Sequence, residues 1–143
     1  MSDISIFESR KGSVHYKPES VYAFVTDIRN FERFIPENTV TEMVSDRDSC
    51  SFRVNMLGKV NISILEKTEY SRVSFRGDLL QTNTFIFNLF LEPLSAELTG
   101  IRILVEADLN PMLKMMAAEP VKRLLETLVS GMEKFEGWED TKS

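Results

Sequence analysis

Of the residue types that most often carry catalysis or bind metals, this chain holds one histidine, His15, and one cysteine, Cys50. A lone histidine supplies no histidine pair and no imidazole cluster for a metal. His15 stands beside Tyr16 in a stretch with strand character. An imidazole there acts as a general base only if a substrate proton comes within reach, and the plainer expectation is a surface or structural role. Cys50 has neither a helix N-terminus nor a neighbouring base in sequence to favour its thiolate, so it reads as an inert thiol. There is no glycine-rich phosphate loop and no nucleophile elbow. Glu106 and Asp108 alternate with Val105 and Ala107 and so fall on the polar face of a strand. Glu92 and Arg102 stand where they can pair across neighbouring strands, a rim interaction of little weight. The hydroxyls of Tyr16, Tyr22 and Tyr70 can each orient a ligand if they point inward. These residues form no catalytic constellation, offer no metal site and call for no cofactor.

The elements that would position such groups centre on one stretch, Asn110 to Trp138. Asn110 is a good N-cap and Pro111 suits the first helical position. Leu113, Ala117, Val121, Leu124, Leu128, Met132 and Phe135 then recur at three- and four-residue spacings, which is one apolar stripe of a long helix. Met116, Leu125 and Val129 widen it, and Gly137 is placed to end it. At about 1.5 Å per residue the helix would run roughly 40 Å. Pro120 lies inside it and predicts a kink near Ala117. A helix of this length needs a partner surface, and the sequence offers strands rather than a second long helix.

The first strand is expected over Ile4–Tyr16, with a bulge at Gly12. Two short helices follow: one from Pro18 with Val21, Phe24, Val25 and Ile28 in helical spacing, and one from Asn30 with Phe31, Phe34 and Ile35, ended by Pro36. Strand signals fill the region up to Asn110. Val40–Ser45 is a weak candidate, whereas Cys50–Met56 alternates cleanly. Leu57-Gly58-Lys59 turns into Val60, Ile62 and Ile64. Val73 and Phe75 share a face, as do Phe85, Phe87, Leu89 and Leu91, and then Ile101, Ile103, Val105, Ala107 and Leu109. Pro93 suits an edge or a bulge. Short turns between strands predict antiparallel pairing. The predicted class is α+β: a strongly bent antiparallel sheet around a long C-terminal helix, with two short helices after strand one, in a single domain over residues 1–143.

Composition narrows the function classes. The chain has 143 residues, 43% of them hydrophobic and 27% charged, as in an ordinary globule with one core. A net charge of −5 argues against nucleic acid as a partner, and Lys and Arg form no basic run toward an anionic membrane. No apolar run is long enough for stable membrane insertion, and the start lacks the pattern of a signal peptide. With a single cysteine, a cytoplasmic location is expected. Ile86 and Phe90 fall on the outer face of their strand and leave a homodimer seam open as an expectation.

The order of elements resembles the START-like, or SRPBCC, helix-grip superfamily. So do Lys17-Pro18-Glu19-Ser20-Val21-Tyr22-Ala23-Phe24, then Asp27-Ile28-Arg29-Asn30-Phe31 leading to Phe34-Ile35-Pro36, and the closing Asn110-Pro111 helix. The superfamily includes polyketide cyclases, birch-pollen-allergen-like carriers, lipid-transfer domains and coenzyme-Q-binding chaperones. The similarity spans about Phe7 to Trp138. It is specific for the fold, because the group shares an architecture and a cavity rather than a catalytic motif. The resemblance implies a pocket for a hydrophobic small molecule (a lipid, quinone or polyketide-like compound) between sheet and helix. A cyclase or dehydratase acting by orientation in the same cavity is the alternative it implies. The inward strand faces make Phe52, Val54, Phe75, Phe87, Leu89, Ile103 and Val105 the expected ligand-binding residues. Leu113, Met116, Leu124 and Leu128 meet them from the helix, and Phe34 closes one end. The expected pocket is roughly a few hundred Å³.

Overall fold

The structure, a computed structural model, describes residues 4–30, 40–54, 58–79 and 83–135. Its strands are β1 (Ile4–Glu8), β2 (Gly12–Val14), β3 (Val40–Ser45), β4 (Ser49–Val54), β5 (Gly58–Thr68), β6 (Arg72–Leu79), β7 (Asn83–Ser95) and β8 (Leu98–Asp108). The helices are α1 (Pro18–Val25) and α2 (Pro111–Lys134). All eight strands form one antiparallel sheet in the order β1-β8-β7-β6-β5-β4-β3, with β2 also paired to β8. The chain meanders from β3 to β8 through short turns, as expected of strands with alternating faces. The apolar face of this sheet and the apolar stripe of α2 bury each other.

The expected long first strand is two short ones. Ser9 interrupts it: its N–H donates to the Ile103 carbonyl at 2.9 Å, and its hydroxyl accepts from the Ile103 N–H at 2.9 Å. The backbone then leaves the ladder, and Arg10 reaches across to α2. Its guanidinium bonds Glu126 at 3.1 Å, Ser130 at 3.0 Å and Glu133 at 2.7 Å. Gly12 returns the chain to the sheet against α2. A Cβ at Gly12 would lie 2.6 Å from Cγ1 of Val129, so only glycine fits without displacing the helix.

Arg10 holds the Glu133 carboxyl below its ordinary value of 4.5, and the Ser13 N–H adds to the effect. A carboxylate with a lowered folded pKa contributes stability above its unfolded pKa and loses it as pH falls through the folded value. Glu133→Gln is therefore expected to be less stable than the parent at pH 7. The gap should close as pH drops below about 4.5. Because the pair is partly exposed, the difference at pH 7 should be no more than about 1 kcal/mol. Urea titrations of both proteins between pH 3 and 7 would measure it.

α2 begins as its sequence dictates, with the Asn110 side chain accepting from the Leu113 N–H at 2.8 Å and Pro111 following. Asn110→Ala should cost about 1 kcal/mol of stability, read as a lower Tm, because that N–H loses its partner. The helix passes through Pro120, where the Met116 carbonyl lacks its usual donor. It ends at Lys134, before Gly137: Phe135 is already extended, at φ −71° and ψ 138°. The reason is tertiary, since the Phe135 ring packs on Phe24 of α1 with centroids 4.9 Å apart.

α1 starts at Pro18 and buries Val21, Phe24 and Val25 against β6, β7 and β8. Of the second predicted helix, residues 31–36 lie outside the described residues, and Asn30 turns its side chain back to the Phe24 carbonyl at 2.8 Å. Gly58 opens β5 at φ 97°, in the left-handed region that favours glycine. Pro93 sits at a register shift between Pro93 and Ser95. On the outer face, Arg102 bonds Glu8 at 2.7 Å rather than Glu92, and its guanidinium lies 4.7 Å over the Phe90 ring. Ile86 and Phe90 are half-buried, and Asn88 between them is buried and accepts from Ser74 at 2.6 Å. Exposed apolar side chains on this side include Ile4 and Ile6 of β1 and Val44 of β3.

Candidate functional site

A cavity of about 130 Å³ lies between the sheet and α2. Its walls follow from strand parity. Every second residue of a strand faces the helix, and these strands place apolar residues there. β4 contributes Cys50, Phe52 and Val54, β5 Val60 and Ile62, and β6 Phe75. β7 adds Phe85 and Phe87, and β8 adds Val105 and Ala107, with Leu109 just beyond. Phe7 of β1, Met43 of β3 and Ile28 after α1 complete the sheet side, while α2 supplies Ala117, Val121, Leu124, Leu125 and Leu128.

The register aligns these groups in rows. Phe7, Val105, Phe87 and Phe75 are successive cross-strand partners, and the Phe75 and Phe87 rings meet edge to face at 5.6 Å. In the next row the Phe85 ring occupies the space that a Cβ at Gly77 would take. The rings project into the gap, which is why the cavity is smaller than the few hundred Å³ expected. Where α1 packs against β6, β7 and β8, the interior is solid. No residue of α1 lines the cavity, which lies beyond that part of the core, with Ile28 just after α1 among its walls.

Seven of the residues expected to bind ligand come together around this space: Phe52, Val54, Phe75, Phe87, Val105, Leu124 and Leu128. Leu89 and Ile103 do not reach it and are fully buried in the solid part of the core. Leu113 is half-buried against the core without lining the cavity. Met116 is a correction: it is 56% exposed, and Met112 and Met115 are more exposed still. The buried line of α2 runs through Ala117, Leu125, Leu128, Val129 and Met132, and Met116 lies about 100° around the helix from Ala117. Phe34 lies outside the described residues. The site list drawn from sequence omitted Phe7, Ile28, Met43, Cys50, Val60, Ile62, Phe85, Ala107, Leu109, Ala117, Val121 and Leu125. Parity alone marks Phe85 and Ala107, which alternate in phase with Phe87 and Val105, whereas Val60 and Ile62 belong to β5, a strand with no residue in the expected set.

The groups considered for chemistry sit elsewhere. His15 is exposed, as are Glu106 and Asp108. Tyr16, Tyr22 and Tyr70 are not among the cavity walls. Tyr22 and Tyr70 pack edge to face at 5.4 Å, and burial together with Glu69 pushes the Tyr22 hydroxyl above its ordinary pKa. Cys50 does line the cavity, half-buried on β4. Among the described residues, no three His, Cys, Asp or Glu side chains converge as a metal site would need. No described helix is long and apolar enough to cross a membrane.

A bent antiparallel sheet closed on a long C-terminal helix, with an apolar cavity between them, is the START-like, or SRPBCC, helix-grip arrangement. Residues 14–133 match the family described as polyketide cyclase / dehydrase and lipid transport, and the chain belongs to that family. No curated protein sequence matches it. Among solved structures it is similar to a START superfamily protein from Mycobacterium smegmatis, at 15% identity and a TM-score of 0.63, over 90% of this chain and 97% of that one. The Mll3558 protein from Rhizobium loti is similar at 16% identity and a TM-score of 0.62, over 92% and 99%. Norcoclaurine synthase from Thalictrum flavum, in complex with dopamine and hydroxybenzaldehyde, is similar at 8% identity and a TM-score of 0.68, over 93% and 86%. Likeness at such identities is a likeness of fold.

Proposed function

We propose that the protein binds or carries a hydrophobic small molecule in the cavity between its sheet and α2. One observation carries the reading: every described side chain that lines the cavity is hydrocarbon or sulfur-bearing, and none of them is charged. Such walls attract a ligand by removing its apolar surface from water, at about 25 cal/mol per Å². The modest volume suits a compact ring system or one section of a chain better than a large polycyclic compound. The residues that would hold it are the seven named above, together with Phe7, Phe85 and Leu125. Native mass spectrometry of the freshly purified protein should show a co-purified apolar ligand, and the stripped protein should take up a fluorescent fatty acid. A protein that is always empty and binds no such probe would overturn the proposal.

The family's description also names cyclases and dehydrases, so a reaction in the same cavity is the alternative. The structure favours binding over it, because His15 and the three tyrosines stand away from the cavity walls. An enzyme of that kind would have to act mainly by folding and orienting its substrate.

A further inference from the structure

We infer that β1 is a dimerisation edge, at which two copies of the chain pair their β1 strands antiparallel about a two-fold axis at Ile6. β1 ends the strand order, so one of its sides has no strand beside it. The Ser9 N–H donates toward β8, to the Ile103 carbonyl at 2.9 Å. By the alternation of an antiparallel ladder, Phe7 and Ser5 also aim their backbone groups at β8, and Ile4, Ile6 and Glu8 aim theirs out of the sheet. No described residue pairs with those outward groups. The edge changes at β2, where the Glu133 carboxylate accepts from the Ser13 N–H at 3.0 Å.

The side chains along this edge are apolar and open. Ile4 and Ile6 are 58% and 63% exposed, whereas Ile86, in the same cross-strand row as Ile6, is half-buried. α2 packs over β1, and the chain passes from Asp108, the partner of Ile4, into the first turn of α2. At about 100° per residue, Met115 falls on the same side of α2 as Glu126 and Glu133, which bond Arg10 just after β1. Met115 and Met112 are 82% and 73% exposed. The open edge and these methionines therefore form one face.

A second copy fits this face because the face complements itself. Setting Ile6 opposite Ile6 places Ile4 opposite Glu8 and uses all five residues of both strands. Each facing pair then exchanges two hydrogen bonds. The same two-fold covers Ile4 and Ile6 and brings the methionine-bearing turns of two α2 helices together. The opposite edge of the sheet is blunted: β3 is bulged between Thr41 and Val44, and Glu42 stands at φ 53°. From Ile4 to Phe7, β1 has no proline, charge or bulge to turn a neighbour away. Pairing β1 with β1 closes at two copies, whereas pairing β1 with β3 would propagate into a filament.

Sedimentation equilibrium of the full chain between roughly 1 and 200 μM should show the mass rising from 16.4 kDa toward twice that value. Ile6→Lys sets two charges against each other at the axis. It should weaken the dimer on the order of a hundredfold and leave the Tm of the dilute monomer unchanged. Val44→Lys, on the β3 edge, should leave the dimer intact. Ile6→Cys should give a disulfide-linked dimer under mild oxidation, since facing hydrogen-bonded residues stand about 5.5 Å apart between Cα atoms. Ile4→Cys, opposite Glu8, should not link, and neither should the parent. A parent that stays monomeric across the range, a dimer that Ile6→Lys leaves intact, or equal linking by the two cysteine variants would overturn the inference. So would a monomer that binds phosphatidylcholine vesicles through Ile6, which would assign the face to a lipid surface. If Ile6→Lys does not fold, the cysteine variants decide the question.

Discussion

Val105→Phe is expected to leave the fold standing and to abolish the binding of apolar molecules. Val105 lies in the middle of the cavity floor, between Phe7 and Phe87 in register, and it is buried without being tightly enclosed. In a filled core, the added ring atoms would force neighbours off their rotamers at about 1–3 kcal/mol. Here they enter space that is already open. The stability change should therefore stay within about 1 kcal/mol, at the tolerant end of that range. Affinity for an apolar probe should fall on the order of a hundredfold, since the ring takes the volume the probe would use. Thermal melting and probe titration on the same preparations separate the two effects. A large drop in Tm together with no binding by the parent would show a packed interior instead.

Phe24→Ala is expected to do the reverse. Phe24 is fully buried in the solid half of the core, its ring against Phe135, and its carbonyl receives the Asn30 side chain. Removing a ring from such a site costs about 3–5 kcal/mol, a large share of the 5–15 kcal/mol that holds an ordinary domain together. The Tm should drop by roughly 10–20 °C. The protein that remains folded should still bind the apolar probe, because Phe24 does not line the cavity. Together the two variants test the division of the interior into a solid half under α1 and an open half beyond it. If Phe24→Ala abolished binding while Val105→Phe left it unchanged, that division would be wrong.

Much of this arrangement is legible in the chain because local rules and tertiary structure agree. Period-two alternation placed Phe52, Val54, Phe75, Phe87 and Val105 on the buried face, and Asn110-Pro111 marked the start of α2. Other features depend on contacts between segments far apart in sequence. The break at Ser9 comes from bonds to Ile103, the glycine at position 12 answers to Val129, and α2 stops at Lys134 where Phe135 turns to Phe24. Periodicity cannot foresee these. Met116 shows a different limit. It flanks the apolar stripe, and hydrophobicity does not say which flank meets the sheet once the helix has docked. Leu89 and Ile103 share the parity of the cavity residues, and only the position of α1 decides which part of that face is covered.

The most direct test of the central claim is a crystal structure of the protein under xenon pressure. Xenon enters apolar cavities that stay dry, and it needs no guess about the natural ligand. The predicted result is a xenon peak in contact with Phe52, Phe87, Val105 and Leu128. Side chains closed over that space with no peak, or ordered water filling it, would contradict the account.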